Sequence, residues 1–302
     1  MLLEPRLVKL STRTGVEVRR SIPNIRKRTI GAWCFVDHFG PTTQTDGMVV
    51  AAHPHTGLQT VTWLFEGAIE HRDSLGTSQQ VAPGQLNIMT AGNGISHSEL
   101  SQVGPAALHA VQLWIALPDA VRHMQPDFQH IADLPTFTHE NLSGRVLIGQ
   151  LLGFHSPARV HSELLGAELR MPAGTEISTL PLRPDWEYGV LVVQGSARVN
   201  GADVAVSNLE YLAPGQTELA LESTDPNEPL VMVLLGGRPF EERLVMWWNF
   251  IERSHAEIVR VRHEWNERES LGQNGSRFSD FVDNVGGWIP APDLPNVELK
   301  SR

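Results

Sequence analysis

Cysteine is nearly absent from this chain: among 302 residues the one thiol is Cys34. A single cysteine rules out an internal disulfide framework and fits a reducing compartment. Set among Trp33, Phe35 and Val36, it reads as an inert core thiol rather than a reactive one. Long apolar runs are missing as well. No stretch approaches the ~20 residues a bilayer requires, and Met1 to Lys9 has no apolar core of a secretory leader. The expectation is a soluble, cytoplasmic protein with no membrane association. Positive charge is also short, with 24 Lys and Arg against 34 Asp and Glu, a net of -10. That balance argues against direct nucleic-acid binding, which needs a concentrated basic surface. Arg19, Arg20, Arg26, Lys27 and Arg28 form the one basic cluster, and within an acidic total they read as solvated or ion-paired residues of an outer strand.

Helical periodicity is the last scarcity. From Met48 to Gln112 the chain alternates short β-branched or aromatic runs with turn residues, as in Thr60-Val61-Thr62-Trp63-Leu64-Phe65 before Glu66-Gly67. Pro83-Gly84 and Gly92-Asn93-Gly94 punctuate it. Trp33 to Phe39 reads as a buried strand ending at a Gly40-Pro41 turn, and residues 119–138 read as a connector. A second run of strands covers Val146–Gly149, Leu164–Arg170, Gly189–Gln194 and Leu230–Leu235. One helix is expected after residue 250. It opens on the capping box Ser254-His255-Ala256-Glu257, runs through Ile258, Val261 and Trp265, and stops near Leu271-Gly272. The last thirty residues read as an irregular tail packed through Phe278, Phe281 and Trp288. The length fits two domains. We divide the chain at 1–135, 136–245 and 246–302, an all-β architecture of two tandem barrels with a short C-terminal helix.

The residues with chemistry cluster at the two ends of one stretch. His53 and His55 are separated by one residue, as are His97 and Glu99. In a strand, residues i and i+2 share a face, so two neighbouring strands would bring four metal-ligand side chains together. Three imidazoles and a carboxylate suit a divalent first-row metal and leave positions open for other ligands. His71, Asp73 and His109 are candidates for holding those imidazoles in one tautomer, or polar residues satisfied at strand ends. Thr60 reads as a packed residue near the cavity, and Trp63, Phe65, Met89 and Trp114 as wall or ordinary core. Seven other histidines, at 123, 130, 139, 155, 161, 255 and 263, are read as ordinary surface or core residues.

The halves repeat weakly. Trp63 to Ala68 matches Leu191 to Ser196 at an offset of 128, which sets Pro181 and Arg183 opposite His53 and His55. Ala91-Gly92-Asn93-Gly94 matches Leu212-Ala213-Pro214-Gly215 at 121, which sets Glu218 opposite His97 and Ala220 opposite Glu99. The second copy keeps the frame and loses the ligands.

Gly47, His53-x-His55, Thr60 and Gly67 together look like the first cupin motif, and Gly94-x-x-His97 like the second. Thr60 stands where many cupins carry a glutamate. The displaced Glu99, with His53-Pro54-His55-Thr56-Gly57, His71-Arg72-Asp73-Ser74-Leu75-Gly76, Met89-Thr90-Ala91-Gly92, Gln112-Leu113-Trp114-Ile115 and Phe35-Val36-Asp37-His38-Phe39-Gly40-Pro41, closely resembles the pirin family. The match is dense over residues 17–118 and thinner afterwards. The resemblance implies a bicupin of two jelly-roll barrels, with one iron site at His53, His55, His97 and Glu99. It also implies a quercetin 2,3-dioxygenase activity, in which O2 opens the central ring of a flavonol at Fe(II) and Glu99 doubles as the base for the 3-hydroxyl. Cupin sites of this type accept copper, manganese, cobalt or nickel as well. Other pirins are interaction proteins, so the alternative is an iron- and redox-responsive regulator that acts on a protein partner.

Overall fold

The computed structural model describes residues 1–10, 16–42, 47–101, 107–176, 178–268, 277–278 and 287–301. Strands fill the described chain up to Glu252, and the helix His255–Asn266 follows. Among the described residues no helix is long and apolar enough to cross a membrane.

By proximity the chain forms two compact units, and neither is continuous in sequence. One comprises Met1–Val8, Arg19–His38 and Ile131–Phe240; the other comprises Lys9–Val18, Phe39–His130 and Glu241–Arg302. The chain from residue 246 onward thus groups with the strands that carry the paired histidines.

In the histidine-bearing unit a four-stranded antiparallel sheet runs in the order Val49–His55, Ile95–Ser101, Ile69–Asp73, Ser78–Val81. In a seven-stranded sheet, Asp127–Ile131, Leu86–Thr90, Leu58–Glu66 and Leu108–Ala116 lie side by side. The sheet continues through Trp33–Thr42, Glu17–Ile22 and Arg6–Lys9, strands whose ends fall in different units. The other unit repeats this plan. Its four-stranded sheet is ordered Ser178–Pro181, Glu218–Ser223, Ala197–Val199, Ala202–Val204. Two jelly-roll barrels in tandem, with one C-terminal helix, are the fold.

The register makes the repeat exact at the site. His53 lies across from His97, and Pro181 lies across from Glu218, the two positions that the offsets of 128 and 121 predict. Pro181 and Glu218 are exposed. The second barrel is instead filled by Val190, Val192, Leu219, Leu221, Met232 and Leu234, all buried. Each such side chain contributes about 1.5–3 kcal/mol through burial.

Two sequence expectations need correction. Residues 119–138 are more than a connector, because Asp127–Ile131 and the start of Thr136–His139 lie within them. Their alternation is carried by Phe128 and His130, a weak hydrophobic signal. The strand from Trp33 does not turn at Gly40-Pro41 but runs to Thr42. Gly40 serves close approach there, since a Cβ would come within 1.9 Å of the Leu108 carbonyl oxygen. The described helix spans His255–Asn266 with Glu267 as its cap; the stop expected at Leu271-Gly272 lies outside the described residues, as does Phe281. The basic segment is ion-paired as expected: Arg20 grips both oxygens of Asp37 at 2.6 and 2.7 Å, and Lys27 meets Glu187 at 2.5 Å. Cys34 is fully buried.

The helix start follows its capping box. Ser254 is extended and its hydroxyl accepts from the Glu257 amide at 3.3 Å. The Glu257 carboxylate in turn accepts from the Arg253 amide at 3.1 Å and from Arg122 at 2.7 Å. Ile258, Val261 and Trp265 form the buried face. Trp265 packs edge-on against Phe278 and Trp288, with centroids 5.4 and 5.6 Å away.

Partial burial opposes ionisation of Glu257, but the hydrogen bonds from Arg122, Ser254 and the Arg253 amide outweigh it and hold the carboxyl at about 2. A carboxyl depressed on folding stabilises above its unfolded value, and the contribution is lost as pH falls from about 4.5 toward 2. Solvent screening of this partly exposed group shrinks the effect, so Glu257→Gln should destabilise by on the order of 1 kcal/mol at pH 7 and much less near pH 3. Urea denaturation of both proteins at the two pH values measures it.

Candidate metal centre

The site is built on the inner face of the four-stranded sheet. Alternation aims His53 and His55 to one side of the strand Val49–His55, and the central strand Ile95–Ser101 answers with His97 directly opposite His53. On its far side that central strand pairs with Ile69–Asp73, so His97 also lies across from Asp73, and Glu99 across from His71. The step from His97 to Glu99 covers two residues, whereas the facing step from His53 to Val50 covers three. The extra residue is a bulge beside the histidines, a device that re-aims side chains.

Two turns close the ligand strands. Gly57 has φ +69, and a Cβ there would meet the Ile251 carbonyl oxygen at 2.0 Å; Gly92 has φ +51, with the Met124 oxygen at 2.1 Å. Both positions require glycine for conformation and for space. The turns bond to each other, the Gly57 amide donating to the Gly92 carbonyl at 3.0 Å.

One ring nitrogen each from His53, His55 and His97 lies within 4.8 Å of the others. The Nε2 atoms of His55 and His97 are 3.1 Å apart. Two imidazoles bound to one ion at about 2.1 Å, with roughly 90–110° between the bonds, bring their nitrogens to about 3–3.4 Å. All three rings are buried. Burial lowers His53 to about 4, against a hydrogen bond to the Ala51 carbonyl that works the other way. Burial and the neighbouring imidazoles push His55 and His97 well below the usual histidine range, with a backbone hydrogen bond at Asn249 acting in the opposite sense on His55. The three are neutral at pH 7 and offer lone pairs without displacing protons. The donor set fits a divalent first-row ion.

Glu99 does not join that group of converging ligand atoms. It is buried beside them, and burial lifts its carboxyl to about 7. A cation close by would reverse that shift.

Behind His97 runs a short relay. His97 Nδ1 is 3.3 Å from His71 Nδ1, and His71 Nε2 is 3.0 Å from the Asp73 carboxylate. Burial would raise Asp73, but the bonds from His71 and from the Thr77 and Leu75 amides prevail, so it stays ionised below its usual value. A carboxylate only accepts, so the hydrogen in the His71–Asp73 contact sits on His71 Nε2, and in the contact with His97 the His71 Nδ1 is the acceptor. His97 must then carry its hydrogen on Nδ1, which leaves Nε2 free toward His55. Phe128 stacks on His71 at 4.5 Å and 24°, a contact hidden in sequence inside the supposed connector.

The wall opposite comes from the seven-stranded sheet. Trp114 meets His55 edge-on at 5.1 Å. Thr60 lies across from Trp114 on one side and Met89 on the other, and so shares their face. Trp63 and Phe65 alternate to the reverse face. His109 lies on the reverse face too, packed on Phe65 at 4.8 Å, and it is not brought to the histidine cluster.

The model of the family described as Pirin matches residues 15–115, and that of the Pirin C-terminal cupin domain matches residues 166–270. The chain belongs to the pirin family. This pirin is 42% identical over 283 residues to a Pseudomonas aeruginosa protein provisionally named a quercetin 2,3-dioxygenase, a match covering 93% of this chain and 87% of the other. It is similar to the crystal structure of a quercetin 2,3-dioxygenase from Acinetobacter baumannii, with TM-score 0.91 and 38% identity over 100% of this chain and 97% of that one. A bacterial pirin from Escherichia coli, solved in complex with nickel(II), shares the fold at TM-score 0.62 and 19% identity, over 79% and 99% of the two chains.

The relay makes a separable prediction for this pirin. His71→Ala and Asp73→Asn should each weaken divalent metal binding by about 10–100-fold, while His109→Ala leaves it unchanged. Competition against a chromogenic chelator measures all three. Gly92→Ala, which forces a Cβ into the Met124 carbonyl, should cost about 3 kcal/mol or more in stability, read from its denaturation midpoint.

Proposed function

We propose that His53, His55 and His97 hold a single iron(II), that Glu99 completes the set, and that the protein oxidises a flavonol-like aromatic substrate with O2 in the manner of a quercetin 2,3-dioxygenase. The observation that carries this reading is the convergence of three buried, neutral imidazoles with two Nε2 atoms 3.1 Å apart. Without metal that distance suits one N–H···N hydrogen bond between the rings, and a bound cation would take the place of the shared hydrogen. When bound, a redox-active first-row ion supplies a Lewis-acid centre for an anionic substrate oxygen and an electron route to dioxygen.

The chain's own residues supply the rest. The three imidazoles are committed to the ion, and Asp73 is committed to His71. That leaves Glu99 as the carboxyl on the site's face; a cation beside it favours its carboxylate form, which can accept the proton of a substrate hydroxyl. The relay from Asp73 through His71 keeps the His97 ring oriented while substrate enters and leaves. Trp114 and Met89 offer apolar surface to a planar aromatic, and Thr60 and Thr62 line the same face with small polar groups. The resemblance to provisionally named and structurally titled quercetin dioxygenases supports the reaction class. Nickel(II) is the metal of the Escherichia coli pirin, so iron is to be compared with nickel, copper, manganese and cobalt in this one.

The test is metal content after anaerobic loading, with oxygen uptake on quercetin, for wild type, His55→Ala and Glu99→Ala. About one metal per chain and turnover in wild type are expected, with turnover reduced at least ~100-fold in either variant. Metal without oxygen uptake in wild type would move the reading to a metal-responsive binding protein, with affinity for a protein partner set by the oxidation state of the ion. No metal under any loading condition would sink both.

A further inference from the structure

The strand that carries His53 and His55 is an edge strand of its sheet, bonded on one side to Ile95–Ser101. Its other edge is covered by chain from far away in sequence. The Ile289 amide donates to the Ala52 carbonyl at 2.8 Å, and the Ala52 amide donates to Gly287 at 3.2 Å. At the other end of the strand the Ile251 amide donates to the Thr56 carbonyl at 3.1 Å, within a parallel bridge between Thr56 and Phe250. The two histidines therefore lie between two backbone anchors supplied by the C-terminal segment.

One side-chain contact ties the second anchor down. Thr56, the residue after His55, donates its hydroxyl to Glu252 Oε1 at 2.8 Å. The other Glu252 oxygen accepts from Arg122 at 2.6 Å, and the same guanidinium also binds Asp119 and Glu257, each at 2.7 Å. Thr56, Glu252 and Arg122 are all buried. A buried carboxylate is costly unless a cation and donors satisfy it. Arg122 and Thr56 supply both. The Arg122 loop also reaches the other ligand strand, because the Met124 carbonyl accepts from the Asn93 amide at 2.9 Å, just ahead of the strand that carries His97.

We propose that Glu252, paired with Arg122, is a positioning residue for the metal centre: through Thr56 it fixes the strand end that carries His55, which makes the C-terminal segment part of the metal site. This rests on the reading of His53, His55 and His97 as metal ligands. Thr56 points away from those rings by alternation, so its bond to Glu252 sets the pitch of the strand and touches no ligand directly. Such supporting contacts typically govern metal affinity by 10–100-fold.

Cobalt(II) is the probe, because its visible d–d absorption reports ligand geometry and its affinity is measurable by chelator competition. The proteins are the full chain as wild type, Thr56→Val, Glu252→Ala, Glu252→Gln and the Thr56→Val/Glu252→Ala double variant. Thr56→Val and Glu252→Ala should each weaken cobalt binding about 10-fold and shift the bands. The double variant should bind no more weakly than Glu252→Ala alone, since both changes remove the same Thr56–Glu252 bond. Glu252→Gln keeps an acceptor for Thr56 and should restore most of the affinity. Should Glu252→Ala fail to fold, Thr56→Val decides, because it removes one hydroxyl and keeps the shape. Affinity and spectra unchanged from wild type, with or without a lower melting temperature, would overturn the positioning role while leaving the metal reading intact. A wild type that binds no cobalt would overturn the metal reading, and this proposal with it.

Discussion

Two ring nitrogens brought to 3.1 Å in a buried pocket are the constraint on which the site depends. Neutral imidazoles at that distance need something electropositive between them. The rest of the unit serves to keep them there: a cross-strand register that sets His97 against His53, a bulge next to the pair, glycine turns that bond to each other, and a relay that decides which nitrogen of His97 is bare. The relay extends the ordering outward to Asp73, whose ionised state is secured by two backbone amides as well as by His71.

The comparison between the barrels shows how little of a fold a site requires. The same register that opposes His53 and His97 opposes Pro181 and Glu218. In one barrel the pair is buried and converges with a third imidazole. In the other it is exposed, and aliphatic side chains fill the interior. The architecture carries either solution because strand pairing is a property of the backbone, while the site is a property of a few side chains on one face.

Much of this was legible in the sequence, for identifiable reasons. The histidine pairs were visible because a period of two survives any loop length, and the repeat was visible because Gly67 and Gly195, or Gly94 and Gly215, mark equivalent turns. The relay was half visible: His71 and Asp73 stood out as polar residues i and i+2 on a strand, but nothing local separated them from His109. Only the register distinguishes them, and the Leu108–Ala116 strand turns its odd residues away from the site. The Thr56–Glu252–Arg122 contact joins positions 66 to 196 residues apart and carries no periodic mark. Phe128 was obscured by neighbours that suggest a loop. Glu99 gave a strong motif signal, and the geometry sets it beside the imidazole cluster rather than in it.

The discontinuous make-up of the histidine-bearing unit has a temporal consequence. Its histidine strands are synthesised early, whereas Phe250, Ile251 and Ile289, which cover the edge of the His53 strand, emerge much later. Between those moments Ile131–Phe240, the largest segment of the other unit, is made. A nascent chain therefore presents its histidines on an open strand edge until those residues arrive. Metal capture by a fully enclosed site then waits for Ile251 and Ile289. The order in which the ribosome delivers these segments sets when the centre can mature.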